Sequence, residues 1–137
     1  MNRYADCPCH SKSNYQQCCR TYHLGTAAPN ATALMRSRYS AYALSLADYL
    51  MATTHPKNEQ YMEDASAWKQ SIQQFTKNTL FKSLDILDAT ENGSAATVTF
   101  RAGLMQGLKD ISFTEKSSFE KIDGRWLYLD GVKDDEA

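Results

Sequence analysis

The sequence has no long hydrophobic run and no excess of charge of either sign. Its 137 residues contain no stretch near the roughly 20 apolar residues that span a membrane. Fifteen basic side chains stand against sixteen acidic ones, a net charge of −1. This balance excludes the dominant phosphate-binding surface of a DNA-packaging protein and gives no strong nucleic-acid signal. No apolar run follows Arg3, so we expect no signal peptide and a cytoplasmic protein.

Glycine is also sparse, and its distribution excludes several enzyme classes. The six glycines are scattered and form none of the loops that bind phosphates or nucleotide cofactors. The G-x-S-x-G elbow that carries a serine nucleophile is absent as well. Without a catalytic cluster, the sequence favours a binding protein over an enzyme.

Cysteine is missing from the whole chain after Cys19, and all four cysteines lie close together before it. Their spacing is C-x-C, eight residues, then C-C, made by Cys7, Cys9, Cys18 and Cys19. Cytosolic cysteines bunched in this way usually bind metal. Four thiolates fill a tetrahedral zinc site and leave no open position, so we expect one structural zinc per chain. His10 or His23 could replace one ligand, and a redox dithiol or free cysteines are the alternatives.

This segment resembles the SEC-C motif, a short zinc knuckle found at the tail of the SecA translocation ATPase and in many small bacterial proteins. The usual motif has glycine where this chain has His10 and Lys12. The basic residues Arg3, Lys12 and Arg20 flank the cysteines. They either compensate the negative charge of four thiolates around zinc or form a docking surface for an acidic partner.

The rest of the chain reads as helices followed by strands. The predicted helices cover residues 31–45, 46–53 and 62–78, and Asn30 or Thr32 is suited to cap the first. From Leu80 the apolar period becomes two, which predicts four antiparallel strands separated by turns at 91–94, 106–110 and 122–125. Helices on one face of such a sheet make an α+β domain. The predicted core residues are Trp68, Phe75, Val98, Phe100, Phe113 and Phe119.

Longer segments resemble the YchJ family of small uncharacterised bacterial proteins. They include the run from Ala33 to Tyr42, the pair His55-Pro56, the run from Glu115 to Phe119 and the run from Arg125 to Gly131. The resemblance implies a SEC-C knuckle at residues 1–25. It also implies a cystatin-like cone at residues 30–133, similar to nuclear transport factor 2, with about three helices on a curved antiparallel sheet of about four strands. It implies zinc but no known activity.

A bent sheet wrapped around helices leaves a pocket. The residues that we expect to line or serve it are Arg38, Tyr42, His55, Trp68 and Glu115. The helical and strand periods place Arg38 on the buried face of the first helix and Glu115 on the inner face of the third strand. If the period is off by one residue, both groups lie at the surface instead. Each charge is costly to bury alone, so we expect a bidentate pair between them, with Arg36 at the surface or near the knuckle.

Three functions fit this sequence. The first is an adaptor that docks on a protein or ribosomal partner through its knuckle. The second is a small-molecule enzyme of the isomerase or hydrolase kind, working in the cone, and the third is a ligand carrier. Near-zero charge and the lack of a catalytic cluster favour the adaptor. The deciding observation is whether the pocket is open or filled by side chains.

Overall fold

The computed structural model describes residues 5–134, which form a small N-terminal unit followed by helices and then a sheet. The N-terminal unit, called the knuckle here, covers residues 5–25. It contains a 3-10 turn at Tyr15–Gln17 and one short helix, α1, at Arg20–His23. A single bridge between Asp6 and Asn14 closes its loop. Within residues 5–134, no helix is long and apolar enough to cross a membrane.

Three helices come next, close to the predicted positions: α2 at Ala31–Ala43, α3 at Ala47–Ala52 and α4 at Ala65–Lys77. Asn30 caps α2, because its side-chain oxygen accepts a hydrogen bond from the backbone N–H of Ala33 at 2.8 Å. Asp64 caps α4 through Ala67 in the same way. The predicted cap of α2 is therefore confirmed, whereas α4 begins three residues after its predicted start, directly after a cap that was not predicted.

Five strands follow: β1 at Leu80–Asn92, β2 at Ala95–Gln106, β3 at Lys109–Asp110, β4 at Phe113–Ile122 and β5 at Arg125–Asp134. All pairs are antiparallel, in the order β1-β2-β4-β5, and the two-residue β3 pairs with the end of β2. The third predicted strand begins two residues later than expected, since the Ser112 side chain hydrogen-bonds the backbone N–H of Leu104. The α+β class is confirmed.

The main core lies between α2 and the inner face of the sheet. Along β2, alternate residues from Ala96 to Leu104 are all buried, as the two-residue period predicts. Four of the six predicted core residues are buried: Trp68, Val98, Phe100 and Phe119. Phe75 and Phe113 are only partly buried, which corrects the prediction. Both pack against the core and line a cavity beside it.

Helix α2 contacts both the knuckle and the sheet. None of its 13 residues is exposed. Arg36, Ser37 and Ser40 lie on the side that meets the knuckle. Arg38 and Tyr42 lie on the side that borders the cavity. A helix covered on all sides shows no clear amphipathic stripe.

Candidate metal site and ligand cavity

The four cysteine sulfurs converge inside the knuckle. All four lie within 4.8 Å of one another, and Cys7, Cys9 and Cys19 are buried. The sulfur of Cys18 is 3.6 Å from that of Cys9 and 3.9 Å from that of Cys19. Zinc–sulfur bonds of about 2.3 Å in a tetrahedron separate the sulfurs by about 3.8 Å. The residues present therefore fit a tetrahedral metal ion.

Loop geometry brings the first two cysteines into place. The backbone N–H of Cys7 donates to the carbonyl of Ser13 at 2.8 Å, and that of His10 donates to the carbonyl of Cys7 at 3.1 Å. His10 and Lys12 both adopt left-handed backbone conformations, with φ of 61° and 74°. These are the two positions where the SEC-C motif usually has glycine. Both residues carry a side chain in a backbone conformation that glycine adopts without strain, so the loop is strained at these two positions.

The thiols of this cluster affect one another. Hydrogen bonds to Cys7 and Cys9, and then burial, raise the pKa of the Cys19 thiol far above its usual range. A metal ion has the opposite effect, because it binds the thiolate form and releases the proton. The Ser11 hydroxyl lies 3.2 Å from the Cys18 sulfur and supports it from outside the cluster.

Neither nearby histidine belongs to the group of four sulfurs. His23 Nε2 donates to the carbonyl of Ser37 at 2.8 Å, and its Nδ1 accepts from the Tyr15 hydroxyl at 2.7 Å. Burial lowers the pKa of His23. Tyr15 packs against the buried cysteines. His10 Nε2 lies 3.3 Å from the carbonyl of Phe81, so both histidines join the knuckle to the cone.

Basic residues near the cluster take two different roles. Arg36 Nη1 donates to the carbonyl of Cys9 at 3.2 Å, which confirms its predicted place near the knuckle. Lys12 and Arg20 are exposed, and Arg3 lies outside the described residues. Arg36 is thus part of the junction, whereas Lys12 and Arg20 face solvent.

A cavity of about 570 Å³ lies between the helices and the sheet. Its walls are largely aromatic: Tyr39, Tyr42, Trp68, Phe75, Phe81, Phe100 and Phe113 line it. Of the expected pocket residues, Arg38, Tyr42, Trp68 and Glu115 all border this space. The large side chains that line the pocket do not fill it, so the pocket is open.

Arg38 and Glu115 are both buried at the cavity, but they do not form the predicted bidentate pair. Arg38 Nη1 donates to the carbonyl of Leu50 at 3.0 Å and to the hydroxyl of Thr53 at 2.7 Å. Glu115 Oε2 accepts from the hydroxyl of Tyr128 at 3.0 Å. The Tyr128 ring separates the two charges, and the guanidinium carbon lies 4.9 Å from the ring centre.

His55 lies away from the cavity lining and serves a different contact. Its Nε2 donates to Glu120 Oε1 at 2.7 Å, and its Nδ1 accepts from the backbone N–H of Lys57 at 3.0 Å. Its own backbone N–H donates to the carbonyl of Tyr128. His55 therefore fastens the turn after α3 to the edge of the sheet, which corrects its assignment as a pocket residue.

Two further cavity residues, Tyr128 and Ser117, were not predicted from the sequence. Both line the cavity, and both donate hydrogen bonds to Glu115 Oε2. The two-residue period of the strands could have placed both of them. Ser117 lies two residues before Phe119, and Tyr128 lies two residues after Trp126, so each shares a strand face with a buried core residue. A polar side chain on the inward face of a strand was the pattern that could have identified each of them as a cavity residue.

The family model described as YchJ, middle NTF2-like domain, matches residues 30–131, which is most of the chain. The chain belongs to the YchJ family. The matched range contains α2, α3 and α4, nearly all of the sheet, and the cavity residues Arg38, Glu115 and Tyr128, so the cone is a nuclear transport factor 2-like fold. The four cysteines precede the matched range.

Relatives of this YchJ-family chain match the knuckle as well as the cone. UPF0225 protein SCO1677 of Streptomyces coelicolor is 42% identical, over 91% of this chain and 93% of its own length. The solution structure of RPA3114, a SEC-C motif containing protein from Rhodopseudomonas palustris, is 34% identical and has a TM-score of 0.81, covering 98% of this chain and all of that one. A SEC-C motif containing protein from Psychrobacter arcticus is 26% identical, with a TM-score of 0.79 over this whole chain and 88% of that one.

Proposed function

We propose that this YchJ-family chain is a binding module that takes up a small molecule in its cone. The observation that carries the proposal is the open cavity of about 570 Å³. Ligand sites in proteins typically have volumes of about 300–1,000 Å³, with apolar walls and a few polar groups. The cavity has aromatic walls and a polar floor, a name that we use for the buried or half-buried residues Arg38, Tyr128 and Glu115; the exposed residues Glu59 and Lys133 also border the cavity.

The state of the aromatic walls supports the same proposal. Phe75, Phe81 and Phe113 are only partly buried, although each packs against the main core. Apolar surface left in contact with water forgoes about 25 cal/mol for each Å². A ligand that covers these rings recovers that free energy on binding.

Filling the mouth of the cavity tests this proposal. Ser71 is exposed on α4 and borders the cavity, so Ser71→Trp places an indole where a ligand would enter. Ser66→Trp puts the same side chain on an exposed position of α4 outside the lining. We expect Nile red, a neutral apolar dye, to bind the wild type and Ser66→Trp but not Ser71→Trp. Equal dye binding by all three proteins contradicts the proposal.

The second part of the proposal is that the knuckle holds one structural zinc ion. Four thiolates in a tetrahedron suit zinc, and they leave no position for a bound water or substrate. A reducing compartment such as the cytoplasm keeps these thiols free of disulfides. Metal analysis of protein purified without chelator should give about one zinc per chain, reduced strongly by Cys9→Ser and unchanged by Ser13→Ala. A zinc content near zero in folded, reduced wild type contradicts it.

A docking role for the knuckle is the second candidate function, with an acidic surface on a protein or on the ribosome as the partner. It is favoured by Lys12 and Arg20, which are exposed and, within residues 5–134, take no part in an ion pair. Co-sedimentation with purified ribosomes should weaken when both are changed to Glu, and also after zinc is removed. Lys77→Glu with Lys82→Glu is the control, since both lysines are exposed on the cone. Equal losses in both double variants would leave only non-specific charge attraction.

A further inference from the structure

Two buried side chains of opposite charge at the cavity have hydrogen-bonding atoms that the protein does not use. Arg38 is 6% exposed and Glu115 is 8% exposed. All three hydrogen bonds of Arg38 leave from Nη1, toward Leu50, Thr53 and Thr54. Within residues 5–134, no protein group hydrogen-bonds Arg38 Nε or Nη2. These donors belong to a residue that lines the cavity.

Glu115 has the complementary arrangement. Its Oε2 accepts from the hydroxyls of Ser117 at 2.6 Å and Tyr128 at 3.0 Å. In the described part of the chain, Oε1 has no partner. A Cβ at Gly131 would overlap the carboxyl group of Glu115, so the neighbouring strand leaves space for this carboxylate only because it has glycine there. Glu115 is thus held in one position, with one oxygen available to a ligand.

The two charges do not neutralise each other directly. Tyr128 lies between them, with its ring against Arg38 and its hydroxyl on Glu115. The direct partners of both charges are neutral groups: carbonyl and hydroxyl oxygens for Arg38, and hydroxyls for Glu115. Buried charges without a close counter-ion are unfavourable, and a ligand that supplies both counter-ions relieves both costs together.

We propose that the cavity binds a zwitterion of the amino-acid type with a large apolar side chain. The ligand carboxylate pairs with the free guanidinium N–H groups of Arg38, whose planar fork suits a carboxylate. The ligand ammonium donates to Glu115 Oε1. The apolar side chain lies against the aromatic walls formed by Trp68, Phe75 and Phe113. This assignment rests on the proposed function, since it requires that the cavity take up a ligand at all.

The opposite signs of the two floor residues are what distinguish this ligand class from others. One positive and one negative group give the floor no net charge, so a simple acid leaves Glu115 unpaired and a simple amine leaves Arg38 unpaired. A purely apolar molecule leaves both unpaired. Only a ligand with both charges, on opposite sides of a short spacer, pairs with both residues.

Three probes that share one aromatic body test the assignment: L-phenylalanine, 3-phenylpropionate and 2-phenylethylamine. Isothermal titration calorimetry with the full-length, zinc-loaded protein measures the affinity of each. We expect L-phenylalanine to bind at least tenfold more tightly than either other probe, which is the gain expected of one charge-assisted hydrogen bond. Displacement of Nile red by L-phenylalanine then places the probe in the cavity.

Matched variants identify the residues responsible. Glu115→Gln should remove the advantage of L-phenylalanine over 3-phenylpropionate, and Arg38→Met should remove its advantage over 2-phenylethylamine. Glu91→Gln and Arg101→Met are the controls, because both wild-type residues are exposed on the sheet and outside the cavity lining. If Arg38→Met does not fold, Arg38→Lys keeps the charge and should weaken carboxylate binding by a smaller factor.

Each remaining outcome overturns a defined part of the proposal. Equal affinity for the three probes, or tight binding of only one charged probe, excludes recognition of a zwitterion but leaves ligand binding in the cone intact. If Nile red binds but none of the three probes does, recognition of a zwitterion is excluded and ligand binding in the cone is not. If Nile red does not bind either, the proposed function fails together with this assignment.

Discussion

The knuckle and the cone hold their structures by different means. The buried hydrophobic cluster of the knuckle consists of Cys7, Cys9 and Cys19, with Tyr15 and Cys18 packed against it. The cone has an extensive apolar core between α2 and the sheet, and a second cluster between α2, α3 and α4. So small a unit as the knuckle buries too little apolar surface to be stable alone, and we expect a metal ion to supply the missing stability. We therefore expect the knuckle, and not the cone, to depend on a bound metal ion for its fold.

Removing the metal should have the largest effect and act on one region only. Structural zinc contributes about 10–16 kcal/mol to the folding of small zinc units. We expect a strong chelator to collapse the NMR amide signals of residues 5–25 to random-coil positions while the signals of β1 to β5 stay dispersed. If the sheet signals collapse together with those of the knuckle, the two regions share one cooperative core.

Truncating one buried and one partly buried ring should show how much each contributes to the stability of the cone. Phe100 is 4% exposed, so Phe100→Ala should lower the free energy of unfolding by about 3–5 kcal/mol. Phe113 contacts Phe100 with ring centres 5.9 Å apart, but it is only partly buried, and Phe113→Ala should cost roughly half as much. Denaturant unfolding of the zinc-loaded proteins measures both, and equal costs would contradict the distinction between the buried and the partly buried ring.

The junction between the two regions should depend mainly on His23. His23→Ala removes two hydrogen bonds of 2.7 and 2.8 Å, one with the Tyr15 hydroxyl and one to the carbonyl of Ser37, so we expect a loss of about 1–3 kcal/mol. His10→Ala removes one longer bond, 3.3 Å, from an exposed side chain, and its effect should be below that of His23→Ala. Thermal unfolding compares the two, and the reverse order would show that the junction is held at Phe81 instead.

Relief of loop strain should give the smallest effect, with the opposite sign. Lys12 is exposed and has a φ of 74°, so Lys12→Gly should raise the stability of the knuckle by about 1 kcal/mol. Ser13 has no such backbone conformation, and Ser13→Gly should lower stability slightly. Zinc affinity measured by competition with a chelator reads out both changes. A Lys12→Gly variant that binds zinc less tightly would show that the side chain is needed there.

Local patterns in the sequence were sufficient for the elements and for the faces of the strands. The cap at Asn30 and the alternation along β2 depend on neighbouring residues only, and both were predicted. The same periodicity correctly placed Arg38 and Glu115 inside. Their contacts could not be predicted in this way, because the position of Tyr128 between them depends on how β5 lies against β4 and α2.

The candidate site was predictable to different degrees in the two regions. Short spacing alone brings Cys7, Cys9, Cys18 and Cys19 into one segment, so the cluster follows from the sequence. The cavity is formed by elements far apart in the chain, and whether it is open or filled depends on their packing. The contact of His55 could not be predicted either. A histidine before a proline near a helix end does not indicate that its partner is Glu120, which lies far away in the chain.

Helix α2 has an evolutionary consequence. None of its 13 residues is exposed, so a substitution at any position of the helix changes the packing of a neighbouring side chain. A substitution at Arg36 or Ser40 alters contacts with the knuckle, and a substitution at Arg38 or Tyr42 alters the lining of the cavity. Among diverging relatives, a substitution in this helix should therefore be accompanied by a second, compensating substitution. The second one should lie in the knuckle when the first faces the knuckle, and in the cavity wall when the first faces the cavity.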